Sequence, residues 1–134
     1  MAKQIFVNLP VKDLNKSKEF FTKIGYSFNE KFTDHNAACL VIGDNIYAML
    51  LTESFFKSFI RKELADCSKS SECIVALSAE SKEEVDEIIQ KAFEAGAGKH
   101  NEKQDQGWMY SGGFKDLDGH LWEYVYMDMA GIPQ

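Results

Sequence analysis

A chain of 134 residues, 45% of them hydrophobic and 13% aromatic, has enough apolar material for one packed domain or for two small related halves. Its formal charge of −6 argues against the positive stripe that a nucleic-acid surface needs. No apolar run approaches the roughly 18 residues of a membrane span. With no charged-then-apolar leader either, a cytoplasmic protein is expected.

In chain order, the apolar run from Gln4 to Leu9 predicts a first strand ended by Pro10, whose ring removes a backbone donor. Asp13 suits a helix N-cap; Leu14, Ser17, Phe20, Phe21 and Ile24 recur at helical steps, and Gly25 supplies the stop. Three strands are predicted next, Tyr26 to Phe32, Ala37 to Ile42 and Ile46 to Thr52, with a hairpin turn at Gly43-Asp44-Asn45. From Glu53 to Ser71 the pattern reads as a linker carrying a short amphipathic helix with Phe55, Phe56, Phe59, Ile60 and Leu64.

The same order then recurs. Cys73 to Leu77 is an apolar strand, and Ser81 with Glu84 forms a capping-box pattern. Val85, Ile88, Ile89, Ala92 and Phe93 make one helix face up to Gly96. A charged loop from Lys99 to Asp105 leads to the glycine-rich strand around Trp108, Tyr110 and Phe114, and Asp118-Gly119 turns into a last strand from Leu121 to Met127. Phe6 lies seven residues before Asp13, and Ile74 seven before Ser81. Laying Thr52-Glu53 on Met127-Asp128 places Ala48 opposite Glu123.

Few residues on this framework carry chemistry. Cys39, Cys67 and Cys73 are odd in number and lack CxxC spacing, so buried or idle thiols are expected. His35 and His100 read as surface residues, and His120 as a local support for the glycine turn. Glu123 alternates with Trp122, Tyr124 and Tyr126; with the helices on the aromatic side it faces a cleft, as base or hydrogen-bond acceptor. Asn8 shares a face with Phe6, and its amide could orient a polar ligand group. Trp108 and Tyr110 are candidates for an aromatic pocket wall.

The strings Phe6-Val7-Asn8-Leu9-Pro10-Val11-Lys12-Asp13-Leu14 and Asp116-Leu117-Asp118-Gly119-His120-Leu121-Trp122-Glu123 resemble the opening and the ending of the vicinal oxygen chelate superfamily. That superfamily includes glyoxalase I, extradiol dioxygenases and bleomycin-resistance proteins, and the nearest branch is that of predicted lactoylglutathione lyases. The resemblance implies an α+β fold of two βαβββ modules, 4–52 and 72–128 around a linker 53–71, forming a curved open-barrel mixed sheet around a cleft. It covers nearly the whole chain, 1–134, as a single glyoxalase-like domain.

Carried over one at a time, the superfamily's metal positions fall on Phe6, on Ala48 (or Leu50 with a shift), on Ile74 and on Glu123, and Glu123 alone can ligate. A divalent ion of this kind needs about three protein ligands. No cofactor is therefore expected, and a divalent metal is the minor alternative. A homodimer is compatible with the resemblance but would bring the same empty positions twice. The expected site comprises Glu123 as the catalytic or accepting group, with Asn8, Phe6, Ile74, Trp108 and Tyr110 binding a small hydrophobic or carbonyl compound. Three readings stay open: a metal-independent relative of the glyoxalases, a sequestering protein of bleomycin-resistance type, and a metal-dependent lyase or dioxygenase.

Overall fold

The computed structural model describes residues 1–132, and the chain falls into two compact units, Met1–Ala65 and the part from Asp66 onward. Each unit has its own sheet with its own helix, and each is described separately. Among the described residues the strands form two open sheets and no closed barrel, within a mixed α+β fold. No helix among the described residues is long and apolar enough to cross a membrane.

In the first unit, β1 (Ile5–Val11) is followed by α1 (Leu14–Ile24), β2 (Ser27–Asn29), β3 (Ala37–Gly43), β4 (Ile46–Thr52) and α2 (Glu53–Lys57). The sheet order is β1-β4-β3-β2, with β1 parallel to β4 and the other pairs antiparallel. The Asp13 carboxylate caps α1 by accepting from the Lys16 N–H at 3.1 Å, and Gly25 closes it at φ 120°. The buried face of α1 is the expected one, Leu14, Ser17, Phe20, Phe21 and Ile24, and it packs on β3 and β4. Strand pairing gathers Leu9, Val11, Ala38, Leu40, Ala48 and Leu50 on one buried sheet face. Phe6, Asn8, Tyr47, Met49 and Cys39 share the other.

Three local expectations are corrected here. β1 runs through Pro10 to Val11, because β1 is a sheet edge, where a missing donor is tolerated. The strand predicted from Tyr26 to Phe32 shrinks to Ser27–Asn29, since the Asn29 side chain accepts from the Lys31 N–H at 3.0 Å and starts a 3-10 turn over Glu30–Phe32. The linker helix spans only Glu53–Lys57; at its end the Ser58 hydroxyl donates to the Phe55 carbonyl at 2.6 Å, and Phe59 is exposed.

The second unit repeats the topology. It comprises β5 (Ile74–Ser78), α3 (Lys82–Glu94), β6 (Gly98–Lys99), β7 (Gln104–Asp105), β8 (Met109–Lys115) and β9 (Leu121–Met127). Here β5 is parallel to β9, β9 antiparallel to β8, and β6 and β7 both pair with β8. The charged stretch predicted as a loop therefore holds two two-residue strands. A Cβ on Gly112 would lie 2.5 Å from Ile89, so α3 packs directly on the backbone there. That contact identifies the helix-covered face of the sheet, which also carries Phe114, Trp122 and Tyr124, all buried. Phe93, predicted on the buried stripe of α3, is instead 41% exposed, while Ala92 beside it is fully buried.

Equivalence between the units follows from pairing. Asn8 and Ala76 each lie five residues before their helix cap. Asn8 pairs with Met49 and Ala76 with Glu123, while Cys39 and Gly113 pair with those same residues from the other side. Met49 is thus the counterpart of Glu123, not Ala48, which lies on the buried face. Counting from the strand ends slipped the comparison by one residue, and one residue reverses the face.

Candidate functional site

The turn between β8 and β9 fixes where β9 begins. The Asp116 carboxylate accepts from the backbone N–H groups of Asp118 (2.9 Å) and His120 (3.0 Å) and from the Trp122 indole N–H (3.0 Å). Gly119 closes the turn at φ 86°, where a Cβ would collide with the Cys67 carbonyl at 2.6 Å. Burial pushes the Asp116 carboxyl above its usual range, with His120 and the three donors pulling it part of the way back. His120 belongs to this turn through its backbone N–H and through its carbonyl, which accepts from the Asp116 N–H at 2.9 Å.

Three residues into β9, Glu123 projects on the face away from α3. Beside it is His100, one step past β6, with Nε2 4.0 Å from Glu123 Oε2. That separation is too long for a hydrogen bond, and Nε2 has no hydrogen-bond partner among the described residues. The two side chains are mostly enclosed, at 16% and 22% exposure. Gly113 makes this approach feasible: a Cβ there would lie 2.4 Å from the Trp122 carbonyl oxygen, 3.0 Å from Glu123 Cγ and 3.2 Å from His100 Cδ2. A carboxylate that accepts, next to an imidazole that can donate or accept, can hold a hydroxyl or N–H group of a ligand.

His100, expected at the surface, is therefore a correction. The strand before it is two residues long, too short to show any period, and the signal is Gly113 in the partner strand. The other expected residues divide. Ile74 shares the face of Glu123 and is 48% exposed. Phe6 and Asn8 belong to the first unit; the Phe6 ring stacks on Tyr47 at 4.9 Å and is 48% exposed, while the Asn8 amide donates to the Phe6 carbonyl at 3.2 Å. Trp108 precedes β8, its carbonyl accepting from the Asp128 N–H at 2.7 Å.

Tyr110 lies on the opposite face from Glu123, toward α3. Its hydroxyl donates to Asp86 at 2.6 Å, Lys103 donates to the same carboxylate at 2.7 Å, and Lys82 lies over the ring at 5.7 Å. Alternation explains the separation, since Tyr110 shares parity with Gly112 and Phe114.

Among the described residues no group of three or more His, Cys, Asp or Glu side chains is arranged to hold a metal ion. In the first unit Phe6 offers no donor and Met49 only a soft thioether; in the second Ile74 offers none, and Glu123 with His100 makes two. This donor set does not fit the three-ligand centre that the superfamily implies.

Residues 3–43 match the family model described as bleomycin resistance protein-like N-terminal. A hypothetical protein of S. aureus superposes with a TM-score of 0.79 at 28% identity, over 94% of this chain and 95% of that one. A glyoxalase/bleomycin resistance protein/dioxygenase family enzyme from Burkholderia phytofirmans superposes at 0.76 with 14% identity, over 94% and 99%. The chain has the glyoxalase/bleomycin resistance fold. A third structure with this fold, the fosfomycin resistance protein FosX of Listeria monocytogenes in complex with Mn(II) and sulfate, superposes at 0.70 with 21% identity, over 96% and 93%. These likenesses support the vicinal oxygen chelate superfamily and do not reach the lactoylglutathione lyase branch. No curated protein matches the chain.

Proposed function

We propose that the protein binds a small hydrophobic or carbonyl compound on the sheet face that carries Glu123, with Glu123 as acceptor or base and His100 as its polar partner. The observation that carries this reading is the enclosed His100–Glu123 pair over Gly113, with Nε2 unpartnered and the carboxylate 4.0 Å away. Ile74 and Leu121 on the same face supply apolar surface for the body of the ligand. The fold is shared by a family enzyme and by a fosfomycin resistance protein, both of which act on or against small molecules. The donor set favours chemistry by these two side chains over a three-ligand metal. The bleomycin-resistance-like match over residues 3–43 favours sequestration as the second reading.

The test is to purify the protein without chelators, extract it, and identify bound species by mass spectrometry and elemental analysis. In parallel, melting is followed with the hemithioacetal of methylglyoxal and glutathione, with bleomycin and with fosfomycin. An organic species or a stabilising probe is expected, with affinity reduced about tenfold or more in Glu123→Gln, the loss typical of a hydrogen bond to a charged group. Turnover of the hemithioacetal would select the enzyme reading over the binding one. Stoichiometric Ni, Zn or Fe whose retention needs Glu123 would replace the proposal, and wild-type affinity in Glu123→Gln would sink it. So would a protein that carries nothing and responds to none of the probes.

A further inference from the structure

Two of the three cysteines, Cys67 and Cys73, lie in the segment that leads into β5, within the second unit. The segment reverses direction at once: the Asp66 carbonyl accepts from the N–H groups of Lys69 and Ser70, each at 3.1 Å, and the Asp66 carboxylate accepts from the Ser68 N–H at 3.0 Å. Cys67 lies on the turn between β8 and β9, its carbonyl oxygen 2.6 Å from the position of a Cβ on Gly119. Cys73 arrives at the same place from the other end. It directly precedes β5, whose first residue Ile74 pairs with Leu121 in parallel register, so one step back along both chains sets Cys73 beside His120. Gly119 and His120 are consecutive, and each has one cysteine against it.

Consecutive Cα atoms are about 3.8 Å apart, and a disulfide spans about 4.4–6.8 Å between Cα atoms, so two cysteines held at neighbouring residues of one turn are brought to bridging range. The influences on Cys67 agree with this placement: burial first pushes its thiol up, and the charges of Asp116, Cys73, Asp66 and Asp118 add to it in that order. The two thiols differ in access. Cys73 is exposed and Cys67 half-buried, whereas Cys39 is buried within the first unit. An oxidant in solution therefore meets Cys73 first, and Cys67 is the thiol placed to answer it.

We propose that Cys67 and Cys73 form a reversible redox site, closed to an intramolecular disulfide by hydrogen peroxide and reopened by a dithiol. In the first step the Cys73 thiolate attacks a peroxide oxygen, the O–O bond breaks, and the departing hydroxide leaves with the thiol proton as water; Cys73 is then a sulfenic acid. In the second the Cys67 thiolate attacks that sulfur, the S–S bond forms as the S–O bond breaks, and hydroxide leaves with the Cys67 proton as a second water. The two thiols together give up two electrons, and one peroxide is reduced to two waters. The closed bond cinches the segment 67–73 against the turn from which β9 starts. The site does not depend on the function proposed above.

The test is to treat the full chain with hydrogen peroxide at low protein concentration and to count its free thiols. They should fall from three to one and return to three with dithiothreitol. Trypsin cleaves at Lys69, between the two cysteines, and gives peptides 63–69 and 70–82. These should stay joined after oxidation, lighter by two hydrogens than the separate pair, and part on reduction. Cys67→Ser and Cys73→Ser should each abolish closure, with a sulfenic acid trapped by dimedone at Cys73 in Cys67→Ser, whereas Cys39→Ser should close as the wild type does. The oxidised wild type should unfold in urea at a midpoint no lower than the reduced chain, since the folded segment already holds the thiols together. Bridges between chains, a bridge that includes Cys39, thiols that stay reduced, or a lower midpoint after oxidation would each overturn the proposal.

Discussion

Tyr110 illustrates the residue scale, because its chemistry is set by the face it occupies rather than by its type. On the α3 side its hydroxyl donates to Asp86, and this bond, more than burial or the neighbouring charges, pushes the phenol up to about 12. An unfolded tyrosine titrates near 10, so the folded pKa is the higher one. The stabilisation is therefore complete below about 10 and is lost as pH rises through about 12. Asp86 is shifted the other way: Lys103 first, and Tyr110 second, hold its carboxyl below the usual range, so its contribution is present above that range and lost as pH falls. Following the Tyr110 ring by NMR should give a midpoint near 12 that returns toward 10 in Asp86→Asn; a midpoint that does not move would refute the pairing. Glu123 could be singled out from the sequence because its carboxylate stands alone among apolar and aromatic residues. His100 could not, since the partner that fixes it, Gly113, comes from another strand and leaves no local pattern.

At the scale of elements, what could be read was what is local. Both long helices carry a cap, an apolar stripe and a glycine stop in the sequence, and the structure keeps these except Phe93 of the α3 stripe, with Ser81 Oγ accepting from the Glu84 N–H at 3.0 Å as Asp13 does from Lys16 in α1. Because the two caps make the same bond in duplicated positions, Ser81→Ala and Asp13→Ala should each lower stability by about 1 kcal/mol in urea unfolding. A cost near zero at either site would mean that the helix start is held by tertiary packing alone. Non-local features escaped the sequence: β6 and β7 have two residues each and are strands only because β8 lies alongside. The register joining β4 to β1 and β9 to β5 is likewise a property of pairing, which is why Ala48 was set against Glu123 when Met49 belongs there. Pro10 reads as a strand end because a missing N–H matters in a sheet interior, and β1 is an edge.

For the molecule as a whole, the repeated order of parallel outer pair and antiparallel hairpin gives each unit a row of side chains at the same place in its sheet. In the first unit that row reads Asn8, Met49, Cys39; in the second it reads Ala76, Glu123, Gly113, with His100 next to it. Duplication supplies two equivalent positions, and the second unit has placed a carboxylate and an imidazole at its own. The first row offers an amide already bonded to the Phe6 carbonyl, a thioether, and the Cys39 thiol, which burial pushes up and so keeps protonated. Such a set holds a hard divalent cation poorly, and neither row reaches three suitable donors. An ion bound by the folded chain alone at 100 times its Kd would add about 2.7 kcal/mol, several degrees in Tm for a chain of this size. Added Ni, Zn or Mn, or a chelator, is therefore expected to leave the Tm within the scatter of repeat measurements. A rise of several degrees with one of these ions, abolished in Glu123→Gln, would show that Glu123 and His100 recruit a metal despite the missing third donor, and the reading of the pair as a metal-independent acceptor and base would have to be given up.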